Sequence, residues 1–209
     1  MDGKKAQLVN RRKEEILTAA KRIFAQNGFR RTKIEQIAAH LSVGKGTLYR
    51  YFEDKKSLFL AVFEQGMVQL RQAMRANVEP IIDPKDKISA AVRTYFEFFE
   101  SDRELIEILM QVRSEFKDDY RRVFLALYSD YIVKIQENLR NGVKMGFFRE
   151  LDVEKTAEAM SAMLQGILQS FYVRQFRVDT AVPNAEKLTD RIEAVTGLLL
   201  EGLLKRDNK

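Results

Sequence analysis

The sequence predicts an all-α fold, and three observations carry that expectation. Apolar residues recur at three- and four-residue steps along most of the chain, the spacing of a single helix face. No stretch alternates apolar and polar residues as a strand would, and only 3 Pro and 10 Gly interrupt 209 residues. Charge is distributed unevenly between the two ends. Residues 1–60 hold 14 Lys and Arg against 6 Asp and Glu, a net +8, while residues 61–209 hold 22 against 24, a net −2. A basic head on a nearly neutral body fits a nucleic-acid-binding domain joined to a second module. The expected division is a helix-turn-helix head at residues 10–70 and a helical-bundle body at 71–209.

Composition narrows the function classes. With 45% hydrophobic and 32% charged residues the chain has the material for a buried core and does not read as disordered. It has no Cys, which removes disulfides and thiolate metal sites. No apolar run approaches the roughly 20 residues of a membrane helix. The N-terminus is charged and lacks an apolar signal segment, so the expected location is the cytoplasm, with no membrane partner.

In chain order, Met1 to Asn10 show no period. Lys4, Lys5, Arg11, Arg12 and Lys13 form a basic arm suited either to phosphates or simply to solvent. A first helix is expected from about Arg12 to Asn27, striped by Ile16, Leu17, Ala20, Ile23 and Phe24. Gly28 stands where a left-handed helix stop belongs. Next, Ile34, Ile37, Ala38 and Leu41 share one face of a second helix. Thr32 and Glu35 have capping-box spacing at its start. A Ser-Val-Gly turn leads into a short helix from Lys45 to Phe52. Leu48 and Phe52 point inward there, and Lys45, Thr47, Tyr49 and Arg50 face out. This is the layout of a helix-turn-helix whose second helix enters the major groove.

Here the chain resembles the tetracycline-repressor (TetR) family. The resemblance lies in Ile37-Ala38, Val43, Gly46-Thr47-Leu48-Tyr49-Arg50-Tyr51-Phe52 and Asp54-Lys55-Lys56-Ser57-Leu58, and it covers roughly the first third of the chain. It implies that Thr32, Lys33, Lys45, Gly46, Thr47, Tyr49, Arg50, Tyr51 and Lys55 form the DNA-contacting set, with Thr32, Tyr51 and Lys55 on phosphates. One feature departs from the family. Leu41-Ser42-Val43-Gly44 replaces the usual Ala-Gly-Val-Ser, so either Ser42 adopts positive φ, at a cost of about 1 kcal/mol, or Gly44 takes it one step later.

The body reads as helices throughout. A fourth helix from about Lys55 to Val78, capped by Asp54, joins head to body. Further helices are expected at about Lys85–Glu100, Arg103–Arg113, Asp118–Lys144, Leu151–Phe176 and Ala185–Leu204. Phe96, Phe99, Met110, Phe124, Tyr128, Met163, Ile167 and Phe171, with Arg113 for a polar or anionic end, are the candidate lining of an effector pocket. Periodicity alone assigns the same aromatic and Met side chains to core, and it is the resemblance that implies a pocket. The resemblance also implies a homodimer through the last two helices, with Leu164, Leu168, Val195 and Leu199 at or just behind the contact patch.

Catalytic and metal chemistry find little support. Gly44-Lys45-Gly46-Thr47 is not a phosphate-binding loop, because Gly46 separates the Lys from the Thr and no strand precedes it. His40 is the sole histidine, so a paired Glu-x-x-His metal site cannot form, and the sequence offers no Ser-His-Asp arrangement around it. No cofactor, metal or catalytic residue is expected. The reading is a homodimeric regulator, a repressor released from operator DNA by a small apolar effector. A helical-bundle enzyme with a basic head and a ligand-independent DNA-organising protein are the alternatives.

Overall fold

The computed structural model describes residues 2–176 and 187–204, apart from the side chains of residues 2–5, 124, 125, 127, 128, 175 and 176. The described residues form α1 (Asp2–Asn27), α2 (Ile34–His40), α3 (Lys45–Tyr49), α4 (Lys55–Val78), α5 (Pro84–Ser101), α6 (Arg103–Glu115), α7 (Lys117–Lys144), α8 (Val153–Phe176) and α9 (Ile192–Leu203). The all-α expectation holds. Among the described residues the only β-type pairing is an isolated bridge between Phe148 and Leu204.

Local chemistry explains most helix boundaries. Asp54 caps α4: its carboxylate accepts from Ser57 N–H at 2.6 Å, and Ser57 Oγ accepts from Asp54 N–H at 3.0 Å. Asp83 accepts from the N–H groups of Lys85 and Asp86, and Pro84 opens α5, where its missing N–H costs nothing. Two boundaries differ from expectation. α1 begins at Asp2 rather than near Arg12. Residues 6–11 are exposed on every side, so no apolar stripe marks a helix built from helix-favouring Ala, Gln and Leu. The last helix is preceded by a short 3-10 turn, Leu188–Arg191, and α9 proper starts at Ile192. The turn is fixed by Asp190, which accepts from Lys187 N–H at 2.9 Å, and by Glu100, which accepts from Leu188 N–H at 2.5 Å. Residues 185 and 186 of the expected helix lie outside the described residues.

The chain forms two compact units: residues 1–68 with 103–121, and residues 69–102 with 122–209. The first packs α6 with the N-terminal helices. Its core joins Ile16, Ala20, Phe24, Ile37 and Leu48 to Leu58, Phe59 and Phe63 of α4 and to Leu105 and Ile108 of α6, all buried. A close approach makes room for α6: a Cβ on Gly66 would lie 2.3 Å from Leu105 Cδ1. In the second unit, α5 packs against α9 and the turn before it. A Cβ on Gly142 would lie 2.1 Å from the buried Phe148 ring, so only Gly lets that ring seal the end of α7.

The helix-turn-helix turn is now defined. Ser42 has φ 54, and Gly44 sits at φ −73 as the N-cap of α3. Ser42 therefore carries the left-handed conformation. Relative to Ser42→Ala, Ser42→Gly is expected to be more stable by about 1 kcal/mol in denaturant titration, because only Gly lacks the Cβ clash. Equal stabilities would place the strain elsewhere.

Candidate nucleic-acid interface

Helix α3 spans five residues, Lys45–Tyr49. Gly44 caps it, Thr47 N–H donates to Gly44 O at 2.9 Å, and Leu48 is its buried anchor. Beyond Tyr49 the chain stays coiled, with Tyr51 and Phe52 N–H both donating to Leu48 O. Phe52 is buried, whereas Lys45, Gly46, Tyr49 and Arg50 are exposed and Thr47 and Tyr51 are half-buried. A Cβ on Gly46 would meet nothing within 4 Å, so this face is open to an incoming backbone.

The outward face is not purely basic. Lys45 Nζ lies 3.3 Å from Glu35 Oε1 of α2, and both side chains are about 60% exposed. Glu35's own backbone N–H and then the Lys45 ammonium hold its carboxyl below the usual carboxylate range. Lys45 is therefore already paired on this face. Nothing at the sequence level singled out this pairing.

Two members of the expected contact set have other partners. Thr32 is 1% exposed, and its hydroxyl donates to Gly28 O at 2.8 Å. It is not the N-cap either: α2 starts at Ile34, Lys33 precedes it, and Gln36 Oε1 accepts from Lys33 N–H at 2.8 Å. Half of a capping box thus forms, one residue later than the Thr32–Glu35 reading, since a Lys side chain cannot accept the return bond. Lys55 Nζ donates to Phe29 O and Thr32 O at 2.9 Å each and to Arg30 O at 3.4 Å, and it stands 4.5 Å from the centre of the Phe29 ring. This ammonium satisfies the carbonyls of the corner between α1 and α2. Lys33 is exposed beside that corner.

The corner is held from α6 as well. Gln111 Oε1 accepts from Phe29 N–H at 2.7 Å, and Gln111 Nε2 donates to Phe24 O at 3.2 Å. Arg30 pairs with Glu115 at 2.9 Å, and Lys56 pairs with Asp119 at 2.8 Å. Phe29, Phe59 and Phe116 form an aromatic cluster with Phe24. Sequence reasoning missed Gln111 and Glu115, since their partners lie more than 80 residues away.

The expected effector residues are distributed over both units. Phe96 and Phe99 on α5 and Phe171 on α8 are buried, and Arg191 stacks over Phe171 at 5.5 Å. Met163 and Ile167 on α8 are half-buried. Met110 and Arg113 belong to α6 in the first unit, Met110 half-buried and Arg113 exposed. The side chains of Phe124 and Tyr128 lie outside the described ones. A separate open groove of about 400 Å³ lies in the second unit, lined by Asn77, Asp86, Ser89, Ala90, Arg93, Thr94 and Glu97. All of its lining residues but Ala90 are polar or charged, and none is an expected pocket residue.

The four expected dimer residues are core within the single chain. Leu164, Leu168, Val195 and Leu199 are each at most 6% exposed. The outer faces of the same helices carry exposed Ala159, Ala162, Gly166 and Val173 on α8 and Ala194, Leu198 and Gly202 on α9. Among the described residues, no helix is long and apolar enough to cross a membrane, and no cluster of acidic or His side chains could hold a metal.

Comparison with known proteins matches this architecture. Residues 16–62 match the bacterial regulatory proteins of the tetR family, and residues 81–169 match a tetracyclin repressor-like C-terminal domain. The chain belongs to the TetR family of transcriptional regulators. It is 26% identical over 204 residues to the uncharacterized HTH-type transcriptional regulator YdgC of Bacillus subtilis, covering 94% of each chain. It superposes on the fatty acid degradation regulator FadR of Bacillus halodurans with a TM-score of 0.77 at 23% identity, over 93% of this chain and 97% of that one. FadR of Bacillus subtilis, solved in complex with stearoyl-CoA, gives 0.76 at 20% identity, over 90% of this chain and 98% of that one. The first of these matches, residues 16–62, covers α3 and its outward face. By this kinship the chain is a DNA-binding transcriptional regulator.

Proposed function

We propose that the protein is a homodimeric, cytoplasmic repressor that leaves its operator when a small ligand with a long apolar chain binds the body. The observation carrying this reading is the outward face of α3. Lys45, Tyr49 and Arg50 are exposed there, on a helix too short to serve as core. Lys45, Thr47 and Tyr49 read bases, and Lys33, Arg50 and Tyr51 hold phosphates. The apolar effector contacts Phe96, Phe99, Met163, Ile167 and Phe171. Support for an acyl chain comes from the apolar chemistry of these side chains and from the stearoyl-CoA bound by the B. subtilis FadR fold relative. The second copy docks on the outer faces of α8 and α9, with Leu164, Leu168, Val195 and Leu199 forming the layer behind.

The test begins with a DNA duplex selected by the wild-type protein from a random pool. Lys45→Ala is expected to select a different sequence, while the phosphate contacts of the other residues maintain affinity for DNA in general. Stearoyl-CoA, added as the probe, is expected to weaken binding of the selected duplex, and the duplex to weaken stearoyl-CoA binding by the same factor, about 5–150-fold. Tight stearoyl-CoA binding that leaves duplex affinity unchanged rules out the acyl-chain effector. Unchanged selection by Lys45→Ala removes that residue from base reading.

A further inference from the structure

Three helix ends in the described residues turn through a left-handed residue: Gly28 after α1, Ser42 after α2 and Gly146 after α7. Two of them close in the same way. After α2, Val43 N–H donates to Ala38 O at 2.9 Å and Ser42 N–H to Ala39 O at 3.0 Å. After α7, Phe147 N–H donates to Gly142 O at 2.9 Å and Gly146 N–H to Val143 O at 3.0 Å. Both are complete Schellman closures, in which the residue after the left-handed one reaches back five positions.

The end of α1 differs. The equivalent bond would run from Phe29 N–H to Phe24 O. Instead the Gln111 carboxamide stands between them, accepting from Phe29 N–H at 2.7 Å and donating to Phe24 O at 3.2 Å. Gly28 N–H also reaches Phe24 O, at 2.9 Å. α1 is thus closed by the single Gly28 bond of the left-handed motif, and the Gln111 carboxamide of α6 stands where the second, five-back bond closes the other two ends. A carboxamide supplies an acceptor and a donor on two separate terminal atoms, as this bridge requires. A helix end with these two alternatives has two closed states, and in neither is a backbone group left unpaired.

We infer that Gln111 is a positioning residue for DNA recognition. With its carboxamide inserted, the corner at residues 28–33 is held in the geometry seen here. When α6 moves away, Phe29 N–H closes directly on Phe24 O and the corner tightens. The corner leads directly into α2, and α2 into α3, so its geometry sets where Lys45 and Tyr49 are presented. Asp102 alone separates α6 from α5, the helix that carries Phe96 and Phe99. This inference rests on the DNA-binding reading, which selection of a duplex by the wild-type protein tests separately.

The experiment compares wild type, Gln111→Met and Gln111→Glu, each as the full chain. Met matches Gln in length and helix propensity but offers no comparable donor or acceptor, and Glu keeps only the acceptor. Three quantities are measured: exchange of the Phe29 amide, affinity for the selected duplex well below the melting temperature, and the melting temperature itself. Gln111→Met is expected to speed Phe29 exchange and to weaken duplex binding by about tenfold, within the range of typical couplings between sites. Gln111→Glu is expected to fall between the two. A lowered melting temperature with duplex affinity within twofold of wild type would assign Gln111 to stability alone and overturn the inference. If Gln111→Met does not fold, Gln111→Glu decides: weaker duplex binding supports the positioning role, and wild-type affinity overturns it. Failure of the wild-type protein to select any duplex would count against the DNA-binding reading, and Phe29 exchange would then still report whether Gln111 holds the corner.

Discussion

Replacing Lys55 by Met is expected to destabilise the N-terminal unit by about 2–3 kcal/mol and to weaken binding to all DNA. Hydrogen bonds from a charged donor are worth about 1.5–3 kcal/mol each. Lys55 makes three, to the carbonyls of Phe29, Arg30 and Thr32, but it is half-exposed and one of the three is long at 3.4 Å. Water therefore replaces part of what is lost, and the net effect is close to that of one strong bond. Carbonyls stripped of the ammonium must turn toward solvent, which moves the corner that carries α2. The Met stem keeps the packing against Phe29, so the loss reports the charge rather than the volume. A phosphate-holding Lys55 would behave differently. Its removal would leave the melting temperature unchanged and flatten the salt dependence of DNA binding by about one unit. The measurement is thus a thermal melt beside a salt series, and an unshifted melt with a flattened slope would return Lys55 to the DNA-contacting set.

The Lys55 result illustrates what the sequence made legible. Local patterns did so reliably: the apolar stripes of α4, α5 and α8 are set by side chains a few residues apart, and Asp54 with Ser57 marks the start of α4 from within four residues. The resemblance placed α3 and its outward face. It did not show which polar groups on that face are already partnered, because Lys55 meets carbonyls 23–26 positions earlier and Gln111 meets atoms 82 and 87 positions earlier. Such pairings leave no periodic trace. Ser42 shows the intermediate case. The turn had to contain one left-handed residue, Ser42 or Gly44, and the bonds from Ser42 and Val43 back to Ala39 and Ala38 fix it at Ser42. The dimer residues show the same limit from the other side. Period alone groups Leu164, Leu168, Val195 and Leu199 as one apolar set, and only the fold shows that this set is consumed inside the chain.

That distinction fixes the second large effect. Leu198→Glu is expected to give folded monomers, whereas Leu199→Glu is expected to unfold the C-terminal unit. Leu198 is 62% exposed in the single chain and Leu199 is 6% exposed, one residue along the same helix. A Glu at 198 has a helix propensity close to that of Leu and remains in water in the monomer, so folding changes by a few tenths of a kcal/mol. In a two-fold dimer through α9 the same carboxylate is buried without a partner in both copies, at a cost of several kcal/mol. The dimer dissociation constant then rises by about 10²–10³-fold for 3–4 kcal/mol. The monomer keeps one recognition helix and loses the gain from linking two, so affinity for a two-half-site duplex falls by a similar factor. At Leu199 the carboxylate enters the core instead, and the cost falls on folding itself. Sedimentation at micromolar concentration, paired with circular dichroism, separates the two variants. A Leu198→Glu protein that still sediments as a dimer places the interface away from the outer face of α9. A wild-type protein that sediments as a monomer at micromolar concentration counts against the dimer itself.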